Sequence, residues 1–178
     1  MPKIKEGKQF ETDIQKSCQR QHIKYLRLKD APNSFSFGGV ASSTIQYTQS
    51  SPYDAEIYKY PHQLCCELKS TKSTNFTLPE DENDNNKMIK AKQVQGLYNV
   101  SEYKGVFPGF MFNFRENNNN TYFMSINSFL DFTDNTDKKS INESDIIKYK
   151  DTLSIKNKKL KVHYNYDIEN LFEEVSKL

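Results

Sequence analysis

Apolar residues recur at two periods along this chain, and the change of period divides it into elements. Phe10, Ile14 and Cys18 fall four positions apart, one stripe of a helix predicted over residues 7–21. Ile23, Tyr25, Leu26 and Leu28 then mark a first strand that ends in the turn residues Asp30-Ala31-Pro32-Asn33. Residues 51–71 predict a β-hairpin: Ile57 and Tyr58 close one β-prone run, residues 59–63 turn, and residues 64–70 run back. In the returning strand the period of two puts Leu64, Cys66 and Leu68 on one face and Cys65, Glu67 and Lys69 on the other. In the outgoing strand Asp54 and Glu56 share a face, with Ala55 and Ile57 behind them.

Beyond the hairpin, residues 86–102 predict a second helix whose stripe is Ile89, Leu97 and Val100, with Gln93 at the remaining position. Residues 109–115 and 121–126 read as a second antiparallel hairpin joined by the asparagine-rich turn 116–120. A short helix or turn at 127–132, a short helix with Asn142 as its N-cap, a lysine-rich alternating stretch at 153–166 and a capped amphipathic helix at 167–178 complete the order. No internal repeat or linker interrupts it, so a single α/β or α+β domain is expected.

Composition supports a packed core. The apolar fraction is 35%, but 12 Phe and 11 Tyr bring large area per residue. No apolar run approaches the ~20 residues needed to span a bilayer. Met1 to Glu6 lack the apolar stretch of a signal peptide, so a cytoplasmic protein without a membrane partner is expected. Three cysteines make no disulfide framework, and Cys65 with His62 lacks the second pair a zinc site needs. Net charge is only +2, but residues 1–30 carry eight Lys/Arg against four acids, and residues 138–161 carry eight Lys against three. Such basic ends suit a phosphate backbone, and they suit solvated faces equally well.

The candidate chemistry lies in the first hairpin. Glu67-x-Lys69 alone describes many half-exposed strands. Asp54, thirteen residues before Glu67 across the turn, changes that reading, because the fold brings two carboxylates and an amine together. Two carboxylates on rigid strands make a hard-oxygen site for Mg²⁺, with places left for water and substrate phosphate. A lysine beside them would orient or activate water and offset charge growing on phosphorus oxygens. Gln93, polar within an apolar stripe, either satisfies a backbone group or holds water or phosphate above the charged face.

The Asp54…Glu67-x-Lys69 arrangement resembles the PD-(D/E)XK nucleases, with Ser51-Pro52-Tyr53-Asp54 where some members have Pro-Asp. The order of pieces around it resembles the RecU-type Holliday-junction resolvases in their shorter phage-like form. Those pieces are Gly7-Lys8-Gln9-Phe10-Glu11, Ser51 to Asp54, and Cys66-Glu67-Leu68-Lys69-Ser70-Thr71 with Phe76, then Lys92-Gln93, the strand beginning at Gly109, and Lys139-Ser140-Ile141. The resemblance implies a restriction-endonuclease-like core, a mixed central β-sheet flanked by helices, with residues 1–178 forming a single nuclease domain. It also implies a metal-dependent endonuclease using Mg²⁺, or alternatively Mn²⁺, that works as a homodimer on branched DNA in recombination and repair. On this chain it maps the metal carboxylates onto Asp54 and Glu67, the catalytic lysine onto Lys69, the family glutamine onto Gln93 and the N-terminal glutamate onto Glu11.

The chain departs from that family where a long basic stalk is expected. Residues 30–50 are shorter and contain no Lys or Arg, and residues 79–86 look like an acidic insertion. Stretch 30–50 is therefore expected to be a protruding loop or reduced stalk, with Phe35 and Phe37 placed to stack on splayed bases. Phosphate contacts are expected from Lys72, Lys90, Lys92, Lys138 and Lys139. Two other readings stand beside the resolvase: a restriction- or repair-like nuclease on duplex DNA without junction preference, and a catalytically silent DNA-binding module.

Overall fold

The strand β3 (His62–Thr71) is the one around which the others assemble. The computed structural model describes residues 6–28, 51–81 and 83–178; the stretch 30–50, with Phe35 and Phe37, lies outside the described residues. β3 pairs antiparallel with β2 (Ala55–Lys59) and parallel with β5 (Val106–Phe114). β1 (Lys24–Arg27) extends one side, and β6 (Asn120–Ser125) and β8 (Leu153–Ser154) extend the other, giving six strands in the order β1-β2-β3-β5-β6-β8. One parallel pair in an otherwise antiparallel sheet makes it mixed, and helices cover both faces, as the sequence predicts.

Both faces of β3 are inside. Leu64, Cys66 and Leu68 pack with Phe10, Ile14 and Cys18 of α1 (Glu6–Arg20) and with Phe172 and Val175 of α5 (Ile168–Val175). On the other face Cys65 joins Phe110, Phe112 and Phe114, which alternate along β5. Phe76 of β4 (Asn75–Thr77), Leu97 of α2 (Ala91–Tyr98) and Phe129 of α3 (Ile126–Asp134) close this second core. Its rings interlock: Phe110 lies 4.6 Å from Phe129, and Phe76 lies 4.9 Å from Phe112. Each such side chain contributes roughly 2–3 kcal/mol by leaving water. The three cysteines are free and buried, and no described helix is long and apolar enough to cross a membrane.

Several elements differ from the pattern reading, each for a local reason. The hairpin turn is tighter than residues 59–63, because only Tyr60 and Pro61 lie between β2 and β3. The second helix spans Ala91–Tyr98 instead of residues 86–102. Side chains of Asp81 and Asp84 take the backbone N–H groups of Asn83 and Asn86, so the segment before Lys90 turns instead of coiling. β4 pairs with β7 (Ser140–Asn142) in a small ladder that no periodicity announces in segments of three residues. Asn142 does cap a helix, α4 (Glu143–Ile146), by accepting from the Asp145 N–H at 3.0 Å. The alternating stretch 153–166 divides into β8 and a separate hairpin of β9 (Asn157–Lys159) and β10 (Tyr164–Tyr166).

The approach of α2 to the hairpin depends on one glycine. A Cβ at Gly96 would lie 2.6 Å from the carbonyl oxygen of Pro52 and 2.7 Å from its Cβ, so α2 rests directly on the backbone that leads into Asp54. Gly96→Ala should therefore cost about 1–3 kcal/mol by forcing the two apart. Urea denaturation measures this, and wild-type stability in the alanine variant would mean that α2 does not bear on Pro52.

Candidate active site

Asp54 stands where the β2–β3 ladder ends, and three hydrogen bonds fix it there. Its N–H donates to Cys66 O at 3.1 Å, and its carbonyl accepts from Leu28 N–H at 2.9 Å. Its side-chain Oδ2 then accepts the Leu68 N–H at 2.9 Å, replacing the backbone carbonyl that a longer β2 would have supplied. The carboxylate caps the open edge of β3 and is held beside the next outward-turning residues of that strand. Leu68 N–H leads directly to its neighbours Glu67 and Lys69.

Glu67 is 2% exposed, so the face it shares with Lys69 is buried and not the half-exposed face of an ordinary strand. Its Oε1 lies 3.0 Å from Lys69 Nζ and accepts from Gln93 Nε2 at 2.5 Å. Gln93 Oε1 in turn accepts from Lys69 Nζ at 2.9 Å and from the Lys90 N–H at 3.1 Å. The three side chains thus form a closed ring, locked to the first turn of α2. Glu67 Oε2 is different: it is buried and has no hydrogen-bond partner among the described residues. The Asp54 carboxylate lies beside it, and two ionised carboxylates offer only acceptors, so neither satisfies the other. Burial pushes the Glu67 carboxyl up to about 8; Asp54 adds to the rise and Lys69 opposes it. Even beside the Lys69 ammonium, burial and Asp54 favour the protonated form of Glu67.

A bound cation would fit that requirement better than a proton. Glu67 would hold it through Oε2 and Asp54 through the oxygen not engaged by Leu68. Among the described residues no three His, Cys, Asp or Glu side chains converge as a complete metal shell. Two carboxylates with other positions left to water and phosphate match the habits of Mg²⁺. The donor set fits a hard divalent ion.

Glu11 approaches from α1 across the sheet edge. Its Oε2 is 2.7 Å from the Arg27 guanidinium, a close ion pair that is not aligned as a hydrogen bond. Burial raises the Glu11 carboxyl, Asp54 raises it further, and Arg27 and Lys8 oppose them. Tyr25 occupies the same flank; burial, then the charges of Glu11 and Asp54, hold its phenol above the ordinary range. Pattern reading takes Tyr25 only as a strand residue and passes over Arg27, although their spacing of two on β1 places them on one side of the strand.

The five lysines expected at DNA are placed unequally. Lys72 follows β3 directly and is exposed, Lys90 caps α2 beside Gln93, and Lys92 is exposed on the first turn of α2. Lys138 instead pairs with the buried Asp145 at 2.6 Å, and Lys139 lies 3.9 Å from Glu80. These last two stand just before β7, where Lys138 is tied to α4 and Lys139 lies near Glu80.

No family model matches the chain. It is 32% identical, over 182 aligned positions, to the SPbeta prophage-derived uncharacterized protein YotM of Bacillus subtilis, with 97% of this chain and 87% of that protein covered. Among solved structures, a Holliday junction resolvase, Hjc of Archaeoglobus fulgidus, superposes with a TM-score of 0.48 and 17% identity over 76% of this chain and 88% of that one.

The Glu67 carboxyl gives the metal-free protein a distinctive pH dependence. An unfolded glutamate titrates near 4.5, whereas the folded one titrates near 8. The folded state therefore binds the extra proton between those values, and stability from this group, full below 4.5, is lost as pH rises toward 8. The loss is on the order of 5 kcal/mol at most. Glu67→Gln should remove it, so that the variant gains on wild type progressively across that window. Thermal melts without metal check this, and a difference independent of pH would contradict it.

Proposed function

The chain belongs to the family of the SPbeta prophage-derived protein YotM, and we propose that it is a divalent-metal-dependent DNA endonuclease. The observation that carries the reading is the unpartnered Glu67 Oε2 beside Asp54, within a ring closed by Lys69 and Gln93. Structural carboxylates in a core are normally satisfied; one held unsatisfied next to another by fixed hydrogen bonds fits a cation site. Convergence of Asp54, Glu67 and Lys69 supports this reading over a catalytically silent DNA-binding module.

A bound Mg²⁺ would supply positive charge to the phosphate oxygens and acidify a water, with Asp54 and Glu67 as its protein ligands. The chain's own groups do the rest. Lys69, held by Glu67 and Gln93, presents its ammonium at the mouth of the site, where it offsets charge developing on phosphorus oxygens and positions the attacking water. Gln93 fixes that lysine and Glu67 at once, so it acts by positioning. Glu11, on the opposite flank, holds Arg27, whose guanidinium is suited to a neighbouring phosphate. Lys72, Lys90 and Lys92 then extend phosphate contact to either side of the scissile bond.

The finer reading is a Mg²⁺-dependent Holliday-junction resolvase in recombination and repair, resting on the RecU-like order of motifs. One chain offers a single Asp54/Glu67/Lys69 set, so paired cuts across a junction call for a twofold homodimer. The competing nuclease reading, without junction preference, differs only in substrate. Wild-type protein with Mg²⁺ should cut a synthetic four-way junction at symmetric positions, and Asp54→Asn or Glu67→Gln should lower the rate about a thousandfold or more while circular dichroism stays unchanged. Efficient cutting by either variant would overturn the site; equal cutting of junction and linear duplex would leave a nuclease without junction preference.

A further inference from the structure

The α1 helix carries a second periodic stripe, and it is polar. Gln9, Asp13 and Ser17 lie four apart beside the apolar stripe, and Gln21 continues the spacing just past the helix end. All four bind the β10 strand or the turn before it. Gln9 Nε2 donates to Val162 O at 2.8 Å. Asp13, 2% exposed, holds His163 Nδ1 at 2.6 Å and accepts the Tyr164 N–H at 3.1 Å. Ser17 Oγ accepts the Tyr166 N–H at 2.9 Å, and Gln21 Nε2 donates to Tyr166 O at 2.7 Å. Helical side chains here take the place of a neighbouring strand, so the β9–β10 hairpin is clamped along the length of α1. Tyr166 adds an edge-on contact with Phe10 at 5.5 Å.

What this mount holds out is chemically unusual. The turn, closed by Leu160 N–H to His163 O at 2.7 Å, exposes Leu160 and Val162, the latter 70% exposed. Lys159 and Lys161 flank Leu160 in the chain, and Lys156 and Lys158 follow down β9 toward the hairpin base, all exposed and none in an ion pair among the described residues. An apolar tip on a strand and turn lined with cations is poorly matched to water. It suits a polyanion with an apolar interior, which is nucleic acid at a point where bases are unstacked. The hairpin is fixed to the same helix that brings Glu11 to Asp54, on a helix only about 10–12 Å across. Beside the hairpin lies a cavity of about 220 Å³ lined by Gln9, Lys72, Asn113, Arg115 and Tyr164.

We propose that the β9–β10 hairpin is the branch-sensing element of the proposed nuclease: its lysines hold the phosphates of an arm flanking the cut, and Leu160 and Val162 pack against the base exposed where the duplex opens. This rests on the DNA-nuclease reading above. It assigns selectivity to a rigid hairpin at the C-terminal end of the fold instead of to the stretch 30–50.

The test is competition binding of a synthetic four-way junction and a linear duplex of the same sequence, with Ca²⁺ in place of Mg²⁺. Two variants are compared with wild type: Leu160→Ser with Val162→Ser, and Lys158→Gln with Lys159→Gln and Lys161→Gln. All these side chains are exposed, and unchanged melting temperatures verify folding. The serine pair should reduce the junction-to-duplex affinity ratio about tenfold while leaving duplex affinity alone. The glutamine triple should weaken both DNAs and lower the slope of log affinity against log salt by about one unit for each phosphate that is no longer held. An unchanged ratio overturns the wedge, and an unchanged slope overturns the phosphate grip. If wild type neither binds nor cuts DNA, the nuclease reading itself falls; if it does both and the variants match it, only the hairpin assignment falls.

Discussion

A buried carboxylate oxygen with no partner is the constraint on which the candidate site depends. Glu67 Oε2 has no partner among the described residues, and the neighbouring Asp54 carboxylate, an acceptor only while ionised, raises Glu67 instead of satisfying it. Everything nearby prevents the usual escapes. Glu67 cannot turn away, because Lys69 and Gln93 hold its other oxygen. Asp54 cannot withdraw, because Leu68, Leu28 and Cys66 fix its side chain and both sides of its backbone. The remaining ways to relieve the repulsion are a proton and a cation, and only the second leaves the lysine with a reaction to assist.

The fold holds this arrangement by burying β3 on both faces. The parallel pairing with β5 brings the alternating Phe110, Phe112 and Phe114 against α3 and β4, making a rigid floor beneath the ring of side chains. The α2 helix comes close enough for Gln93 to reach Glu67 because Gly96 lets it lie on Pro52. Changes far from the carboxylates therefore act through geometry: the same contact sets the distance between the helix and the strand and the strength of the ring.

Much of the site is legible in the sequence because it is written in short range. The period of two puts Glu67 and Lys69 on one face, and the turn returns Asp54 beside them. Gln93 is visible as a polar residue where an apolar one is due. The ring it closes is not visible, since its partners lie 24 and 26 residues away and periodicity draws the helix boundaries too wide. Local Asp side chains, not periodicity, decide where α2 begins. The parallel β3–β5 pairing and the β4–β7 ladder depend on non-local contacts that leave little trace in pattern. The polar stripe Gln9, Asp13, Ser17 has the clear spacing of a helix face, but a polar stripe reads as solvent-facing until the strand that covers it is seen.

The central claim is that Glu67 exchanges a held proton for a metal ion. Isothermal titration of Mg²⁺ into the protein, in buffers of different ionisation enthalpy, counts the protons released on binding. With the carboxyl titrating near 8, close to one proton per ion should appear at about pH 7, and release should fade above about pH 9. Binding with no release near neutral pH, or release that does not change with pH, would contradict the account.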